Sequence, residues 1–228
     1  MISLSRFRTM VFAGLALLFS SGCKAQQQAA PKEGWQPLFA QDLSNTIRPE
    51  GVWSLTDGVL TATEDQAIWS KETYENFELK LEFKNDVGSN SGVFIYGDVP
   101  RWINYSVEIQ IADDHDPQWA NSPKHWQCGA IFGHQAAVDT QLVHRPGIWN
   151  TYHIIAKGPE ITVFLNDRKI NHINMKDFTS TIINPDGSEV PEWISVPKSE
   201  LPTKGHIGFQ GKHAGKPIWF RNIQVKSL

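Results

Sequence analysis

The feature that most constrains the fold is an alternation of apolar and charged residues, which is most regular over residues 77–84. A side-chain period of two is typical of a β-strand that buries one face and exposes the other. Residues 107–111 and 222–226 alternate in the same way, and residues 161–165 do so in part. No long segment after residue 33 keeps the 3.6-residue period of an amphipathic helix. The pattern therefore predicts an all-β fold.

Turn-forming residues separate these runs. Asp57-Gly58 joins two short apolar runs and predicts a β-hairpin, and Asn166-Asp167 predicts a second one. About a dozen short strands in one chain favour two packed antiparallel sheets, a β-sandwich. Residues 178–203 hold Pro185, Pro191, Pro197 and Pro202 and predict a long ordered loop, functional or decorative.

The first 23 residues do not resemble part of the fold. Arg6 and Arg8 precede an apolar run over residues 10–19, which has the length of a signal-peptide core and is too short to span a bilayer. Small residues then lead to Cys23, as in the lipobox of bacterial lipoproteins, although an ordinary signal peptide with an incidental cysteine is the alternative. We therefore expect an exported lipoprotein, facing the periplasm or in the outer membrane, with membrane attachment through Cys23.

The expected organisation is a signal peptide over residues 1–23, a flexible tether over residues 24–33 and one folded domain over residues 34–228. Cys128 is the only cysteine after Cys23, so the folded part contains no intrachain disulfide. Cys128 is interpreted as a small buried residue, with a catalytic thiol as the alternative. The net charge of −3 and the lack of a basic block argue against a nucleic-acid partner.

The most informative candidate site lies on the strand predicted over residues 107–111. On an extended chain Val107, Ile109 and Ile111 face the core, so Glu108 and Gln110 share the opposite face. Two neighbouring polar groups in the middle of a strand suit a ligand-facing sheet, and both are candidate catalytic residues. A solvated strand face is the alternative interpretation.

The acidic stretch that follows this strand is a candidate metal site. Asp113 and His115, together with Asp114 and Asp116, offer oxygen and imidazole ligands to a divalent ion. An acidic surface turn is the alternative, and Asp113 shares the face of Glu108 only if a bulge intervenes. No cofactor follows from the sequence beyond this metal hypothesis.

Further candidates lie in loop-like sequence and on a second strand. His213 follows the strand that carries His206 and Gln210, and could act as a base, a metal ligand or an inert loop histidine. Asn90 and Ser91 could either turn the chain or bind sugar hydroxyls. Trp102, Trp119 and Trp126 surround the Glu108 strand and could stack on a sugar ring or wedge the core.

Eight short motifs follow one another in a specific order: DGVL (57–60), YENFELKLEFK (74–84), NSGVF (90–94), EIQ (108–110) with Asp113, GAIF (129–132), WNT (149–151), GHIGFQ (205–210) with His213, and FRNI (220–223). This order resembles the 3-keto-disaccharide hydrolase family, also called the 3-keto-glucoside 1,2-lyase/3-keto-2-hydroxy-glucal hydratase domain. The resemblance covers about residues 35–228. It implies a concanavalin A-like jelly-roll β-sandwich and a 3-keto-disaccharide or 3-keto-glycoside substrate.

The resemblance also implies an enzymatic reaction. A ketone at C3 acidifies the C2 proton, a base removes that proton, the C1 group leaves, and water adds to the resulting glucal. Glu108 is the candidate base, with Gln110, Gln210 or an ion held near Asp113 and His213 at the developing oxyanion. A retaining glucanase using Glu108 and Asp113 is one alternative. A non-catalytic carbohydrate-binding module is the other.

Overall fold

A computed structural model of the chain describes residues 34–139 and 142–228, without the side chains of residues 100, 102 and 103. The predicted signal peptide, its lipidation site Cys23 and the whole predicted tether lie outside the described residues. Within the described part, no helix has the length and apolar character that crossing a membrane requires.

The described strands form two antiparallel sheets. The larger one has eight strands in the order β11-β10-β9-β6-β13-β4-β3, with β1 also paired to β13. Its members are β1 (Gln36–Pro37), β3 (Trp53–Thr56), β4 (Val59–Ala62), β6 (Phe77–Asn85), β9 (Asn150–Lys157), β10 (Glu160–Leu165), β11 (Arg168–Asn174) and β13 (Ile218–Ser227).

The smaller sheet has five strands in the order β2-β5-β12-β7-β8. Its members are β2 (Thr46–Ile47), β5 (Ile68–Tyr74), β7 (Asn90–Gly97), β8 (Val107–Ala112) and β12 (Gly205–Phe209). The short α-helix α1 spans Pro117–Ala120. Four 3₁₀ segments have bounds within the described residues: Val99–Tyr105, Lys124–Trp126, Met175–Asp177 and Lys198–Glu200. The fold is thus the expected all-β jelly-roll sandwich.

The period-two pattern places the core between the two sheets. In β6, Phe77, Leu79, Leu81 and Phe83 are buried, while the charged residues between them face away from the core. Burying a side chain of this size stabilises the fold by about 1.5–3 kcal/mol. The hydrophobic effect therefore determines which face of each sheet packs into the core. The opposite face of the smaller sheet does not contribute to this core.

Both predicted hairpins are confirmed. Asp57 and Gly58 turn the chain between β3 and β4 with φ values of 52° and 77°. Asn166 and Asp167 turn it between β10 and β11 with φ values of 49° and 65°. Asn, Asp and Gly tolerate positive φ better than other residues, which is why these dipeptides set the register of both hairpins.

The proline-containing segment over residues 178–203 is largely irregular, as expected, and packs against the smaller sheet. The Ser195 amide donates to Asn104 Oδ1 at 2.8 Å, which ties the segment to the 3₁₀ turn before β8. The Ser199 amide donates to the Phe178 carbonyl at 3.1 Å and closes the segment at its base. This packing brings a distant part of the chain beside the strand that carries Glu108.

Candidate active site

Strand β8 presents Glu108 and Gln110 on the outer face of the smaller sheet, as its alternation predicts. Val107, Ile109 and Ile111 fill the core on the inner face. The register pairs Phe94 of β7 with Glu108 and Gly92 with Gln110.

Gly92 leaves the space into which the Glu108 carboxyl folds. A Cβ atom at Gly92 would lie 2.2 Å from Glu108 Oε1, so any larger residue would displace the carboxyl. Because Gly92 has no side chain, the Glu108 carboxyl can lie against the sheet above the neighbouring strand β7. Glu108 is only 7% exposed there.

Burial dominates the electrostatics of Glu108. It raises the pKa of the carboxyl to about 8, with the Lys198 charge lowering it and the Asp65 charge raising it. A carboxylic acid with a pKa near neutrality can both accept and return a proton, which is the property expected of a general acid–base group.

Lys198 is a site residue that the sequence reasoning missed. It is 2% exposed, and its Nζ donates a hydrogen bond to the Ser106 carbonyl at 3.0 Å, immediately before β8. Burial lowers the pKa of Lys198 to about 8, although the Glu108 charge opposes the change. A buried lysine is costly unless its charge is used or compensated. The proline-containing segment over residues 178–203 was the only signal in the sequence that could have pointed to it.

His134 and Asn184 form a second buried polar pair that the sequence did not reveal. His134 Nδ1 and Asn184 Oδ1 are 2.9 Å apart, and Asn184 Nδ2 donates to the Gly133 carbonyl at 3.0 Å. Burial, assisted by the Lys198 charge, lowers the pKa of His134 to about 3, so the ring is neutral. Its Nε2 atom is buried without a hydrogen-bond partner among the described residues.

Gln110 and Asn90 lie side by side on the outer face. Gln110 Nε2 donates to Asn90 Oδ1 at 3.1 Å, while Gln110 Oε1 is buried without a partner among the described residues. Ser91 lies on the core side instead, paired with Ile111, and its hydroxyl donates to the Gln210 carbonyl at 2.8 Å. Of the predicted sugar-binding pair Asn90 and Ser91, the structure places only Asn90 on the face of Glu108.

The strand end after β12 adds Gln210 and His213 to this region. The Gln210 amide donates to the Gly92 carbonyl at 2.9 Å, which places Gln210 beside the glycine that accommodates Glu108. The His213 backbone forms an isolated bridge with Asn90. His213 Nδ1 lies 2.7 Å from Asp65 Oδ2, and both side chains are partly exposed. A carboxylate on Nδ1 orients the ring and leaves Nε2 for proton exchange with a ligand.

Comparison with known proteins identifies the family. The family model for the 3-keto-alpha-glucoside-1,2-lyase-like domain matches residues 34–226. The chain belongs to this family. None of the curated proteins matches it.

Three solved structures are similar to this member of the 3-keto-alpha-glucoside-1,2-lyase-like family. A candidate glycosyl hydrolase from Parabacteroides distasonis is 52% identical, with a TM-score of 0.83, covering 85% of this chain and 99% of that one. A second candidate glycosyl hydrolase from that organism is 21% identical, with a TM-score of 0.62 and coverages of 86% and 88%. A carbohydrate-binding module from Bacillus subtilis, 12% identical with a TM-score of 0.50 and coverages of 83% and 99%, shares the fold alone. The family and the 52% identical glycosyl hydrolase candidate indicate a carbohydrate-active protein.

In this family member the two predicted metal ligands are engaged elsewhere. Asp113 accepts backbone hydrogen bonds from Gly88 at 2.9 Å and His115 at 3.2 Å, and His115 Nε2 lies 3.0 Å from the Val143 carbonyl. Over residues 34–139 and 142–228, no group of three or more His, Cys, Asp or Glu residues is placed to hold a metal ion. Within that part of the chain, Asp113 and His115 therefore lack a third such residue that could complete a metal site with them.

The three predicted stacking tryptophans differ in their surroundings. Trp119 is buried on α1, and its Nε1 donates to the Gly88 carbonyl at 3.0 Å, so it acts as a core wedge. Trp126 is partly exposed and packs against Phe132 with the ring centroids 5.8 Å apart. The side chain of Trp102 lies outside the described residues.

Cys128 has the surroundings of a structural residue. It is buried, and its Sγ lies 3.2 Å from the Tyr152 hydroxyl. Burial raises the pKa of the thiol to about 12, which keeps it protonated and unreactive at neutral pH. The environment fits the interpretation of Cys128 as a small core residue.

Proposed function

We propose that the chain cleaves 3-keto-glycosides by removing the C2 proton, eliminating the C1 substituent and adding water to the resulting glucal. The supporting observation is Glu108: a buried carboxyl with a pKa raised to about 8, which lies over Gly92 on the outer face of the smaller sheet. Family membership supplies the substrate class. A ketone at C3 makes the C2 proton acidic enough for a carboxylate to remove.

Glu108 acts as the base in this proposal. As the proton leaves C2, negative charge develops on the C3 oxygen, and donors already in place stabilise it without reorganisation. Three candidates can do so: the Gln110 amide on the same face of β8, the Gln210 amide beside Gly92, and the buried ammonium of Lys198, whose charge acts on Glu108. The Glu108 carboxyl exchanges its proton with solvent while the glucal is bound, and it then protonates C2 when water adds to C1.

The Asp65–His213 pair is the second proton-transferring group. Asp65 holds the ring through Nδ1, so Nε2 can protonate the departing C1 oxygen and then take a proton from the attacking water. The backbone bridge between His213 and Asn90, at the start of the strand that carries Gly92, supports a role for the pair beside Glu108. One reaction cycle therefore uses two acid–base groups in separate roles.

The glucanase alternative requires a second carboxyl beside Glu108. Asp113 is the residue at that spacing, but both of its oxygens accept backbone hydrogen bonds. Gln110, an amide, stands between them on the strand. Direct displacement at C1 needs two carboxyl groups about 5–5.5 Å apart and free to react. This arrangement favours the elimination route over the retaining glucanase.

A paired substrate assay tests the proposal. Methyl 3-keto-glucoside and unoxidised methyl glucoside are offered to the full-length protein, each with and without a chelator. We expect turnover of the keto sugar alone. Comparable turnover of both sugars would favour the retaining glucanase instead. Loss of activity in the presence of chelator would show that a metal ion takes part in the reaction.

A further inference from the structure

The free edge of β8 is extended by a short segment over residues 129–132. The Gly129 amide donates to the Gln110 carbonyl at 2.9 Å, and the Phe132 amide donates to the Glu108 carbonyl at 3.0 Å. Ile109 and Ile131 form the antiparallel bridge between these two stretches, and both are core residues.

This register decides where Phe132 points. Since Ile109 and Ile131 face inward as a pair, Glu108 and Phe132, one residue away on each stretch, face outward together. Adjacent strands lie about 4.7–4.9 Å apart. The Phe132 side chain therefore starts one strand spacing from Glu108, on the same face, and is partly exposed.

Two tryptophans continue from Phe132 away from the sheet. The Trp126 ring centroid lies 5.8 Å from that of Phe132 and 5.7 Å from that of Trp193. Trp193, on the segment over residues 178–203, is 50% exposed. Trp126 Nε1 is buried and makes no hydrogen bond among the described residues. We call Phe132, Trp126 and Trp193 the aromatic ridge.

The other neighbour of Glu108 across the sheet offers no comparable surface. Phe94 of β7 is fully buried and stacks on Trp69 at 5.3 Å. Trp69 in turn covers Gly97 and Gly208, where a Cβ atom would lie 2.2 Å and 2.3 Å from its ring. Partly exposed aromatic surface beside Glu108 thus lies on the ridge side.

The spacing matches the connectivity of a glycoside. In the substrate, C1 is bonded to C2, and the leaving group is bonded to C1. When the C2 proton contacts the Glu108 carboxyl, the first atom of the leaving group therefore lies within about one strand spacing of that carboxyl. We propose that the aromatic ridge is the leaving-group subsite and that it binds an uncharged pyranose ring. This inference rests on the proposed function and adds the place where the leaving-group sugar of a 3-keto-disaccharide binds.

The chemistry of the ridge favours a sugar over a charged leaving group. Its three rings are neutral, and burial lowers the pKa of His125, whose ring centroid lies 6.4 Å from that of Trp126, which favours the neutral imidazole. The C–H faces of a pyranose pack against aromatic rings, while the hydroxyls stay at the edges. A charged group would lose water there without gaining an ion pair.

The test compares two substrates that share the 3-keto-glucosyl unit. KM is measured for a 3-keto-disaccharide and for methyl 3-keto-glucoside, whose leaving group has no ring. In the wild type we expect the lower KM for the disaccharide. Trp193→Ala should reduce this preference roughly tenfold, Phe132→Ala should do the same, and Trp193→Phe should restore part of it. Trp219→Ala, which removes a partly exposed tryptophan from the larger sheet, should leave the preference unchanged.

The outcomes separate the two proposals. Turnover of methyl 3-keto-glucoside by the wild type tests the proposed function, whereas the ratio of the two KM values tests the ridge. An unchanged ratio in both Trp193→Ala and Phe132→Ala would overturn the subsite. If no substrate is turned over, titration of tryptophan fluorescence with an unoxidised disaccharide and with methyl glucoside decides the matter. Equal binding of the two by wild type and Trp193→Ala would then overturn the subsite.

Discussion

Glu108 has a pKa raised to about 8 from an ordinary value of 4.5 because its carboxyl is buried over Gly92. The folded chain therefore keeps this proton as the pH rises from about 5 to about 8, whereas the unfolded chain loses it. The contribution of the protonated carboxyl to stability is present at low pH and is lost across this window.

The raised pKa of Glu108 predicts how the Glu108→Gln variant behaves. The amide has no proton to lose, so we expect the free energy of unfolding of the variant to gain on the wild type between about pH 5 and pH 8, by on the order of 3 kcal/mol. Turnover should fall by about 10²–10⁴-fold because the base is gone. Chemical denaturation at several pH values and single-substrate kinetics measure the two effects. A variant with wild-type turnover would remove Glu108 from the mechanism.

Besides its proposed role at the oxyanion, Lys198 affects the reaction through the pKa of Glu108. Its ammonium lowers the pKa of Glu108, whereas Asp65 raises it. Lys198→Met should therefore raise the pKa of Glu108 further and move the acidic limb of the kcat/KM profile to higher pH. Lys198→Arg, which keeps the charge, should leave the limb near its wild-type position. If Lys198 only anchors its segment to Ser106, the methionine variant will lose stability without moving the limb.

At the scale of the element, the pairing of β7 with β8 sets the geometry of the site. Gly92→Ala would place a methyl group 2.2 Å from Glu108 Oε1 and push the carboxyl away from the sheet. A displacement near 1 Å costs about 100-fold in rate, so turnover should fall by this order with the thermal midpoint nearly kept. Gly208→Ala on β12 is the matched control, because its methyl group meets Trp69. It should lower stability more than activity, and the opposite ranking would contradict this assignment.

The alternation of β8 was enough to predict which face Glu108 and Gln110 share, because side-chain direction along a strand is a local property. Contacts between distant parts of the chain were not predictable in this way. The bonds of Lys198 to Ser106 and of Phe132 to Glu108 join residues with no shared periodic pattern. The hydrogen bond from the Gly88 amide, in the loop between β6 and β7, to Asp113 is another contact of this kind.

At the scale of the whole molecule, two sheets pack on one core, and the candidate site lies on the outer face of the smaller sheet. Charged residues on the outer face of the larger sheet form ion pairs, such as the one between Arg221 Nη2 and Glu82 Oε2 at 2.6 Å. Such exposed pairs contribute little to stability, about 0–1 kcal/mol each. The sandwich thus provides a rigid support, and the reaction depends on what projects from β7, β8 and β12.

The central claim is that the C2 proton is removed during turnover, and solvent deuterium tests it most directly. Methyl 3-keto-glucoside is converted by the wild type in D₂O, and the 3-keto sugar product is examined by NMR, with an enzyme-free sample to correct for spontaneous exchange at C2. Elimination followed by hydration predicts deuterium at C2 of the product, formed at the rate of turnover and lost with Glu108→Gln. A product that retains its original hydrogen at C2 would contradict the account.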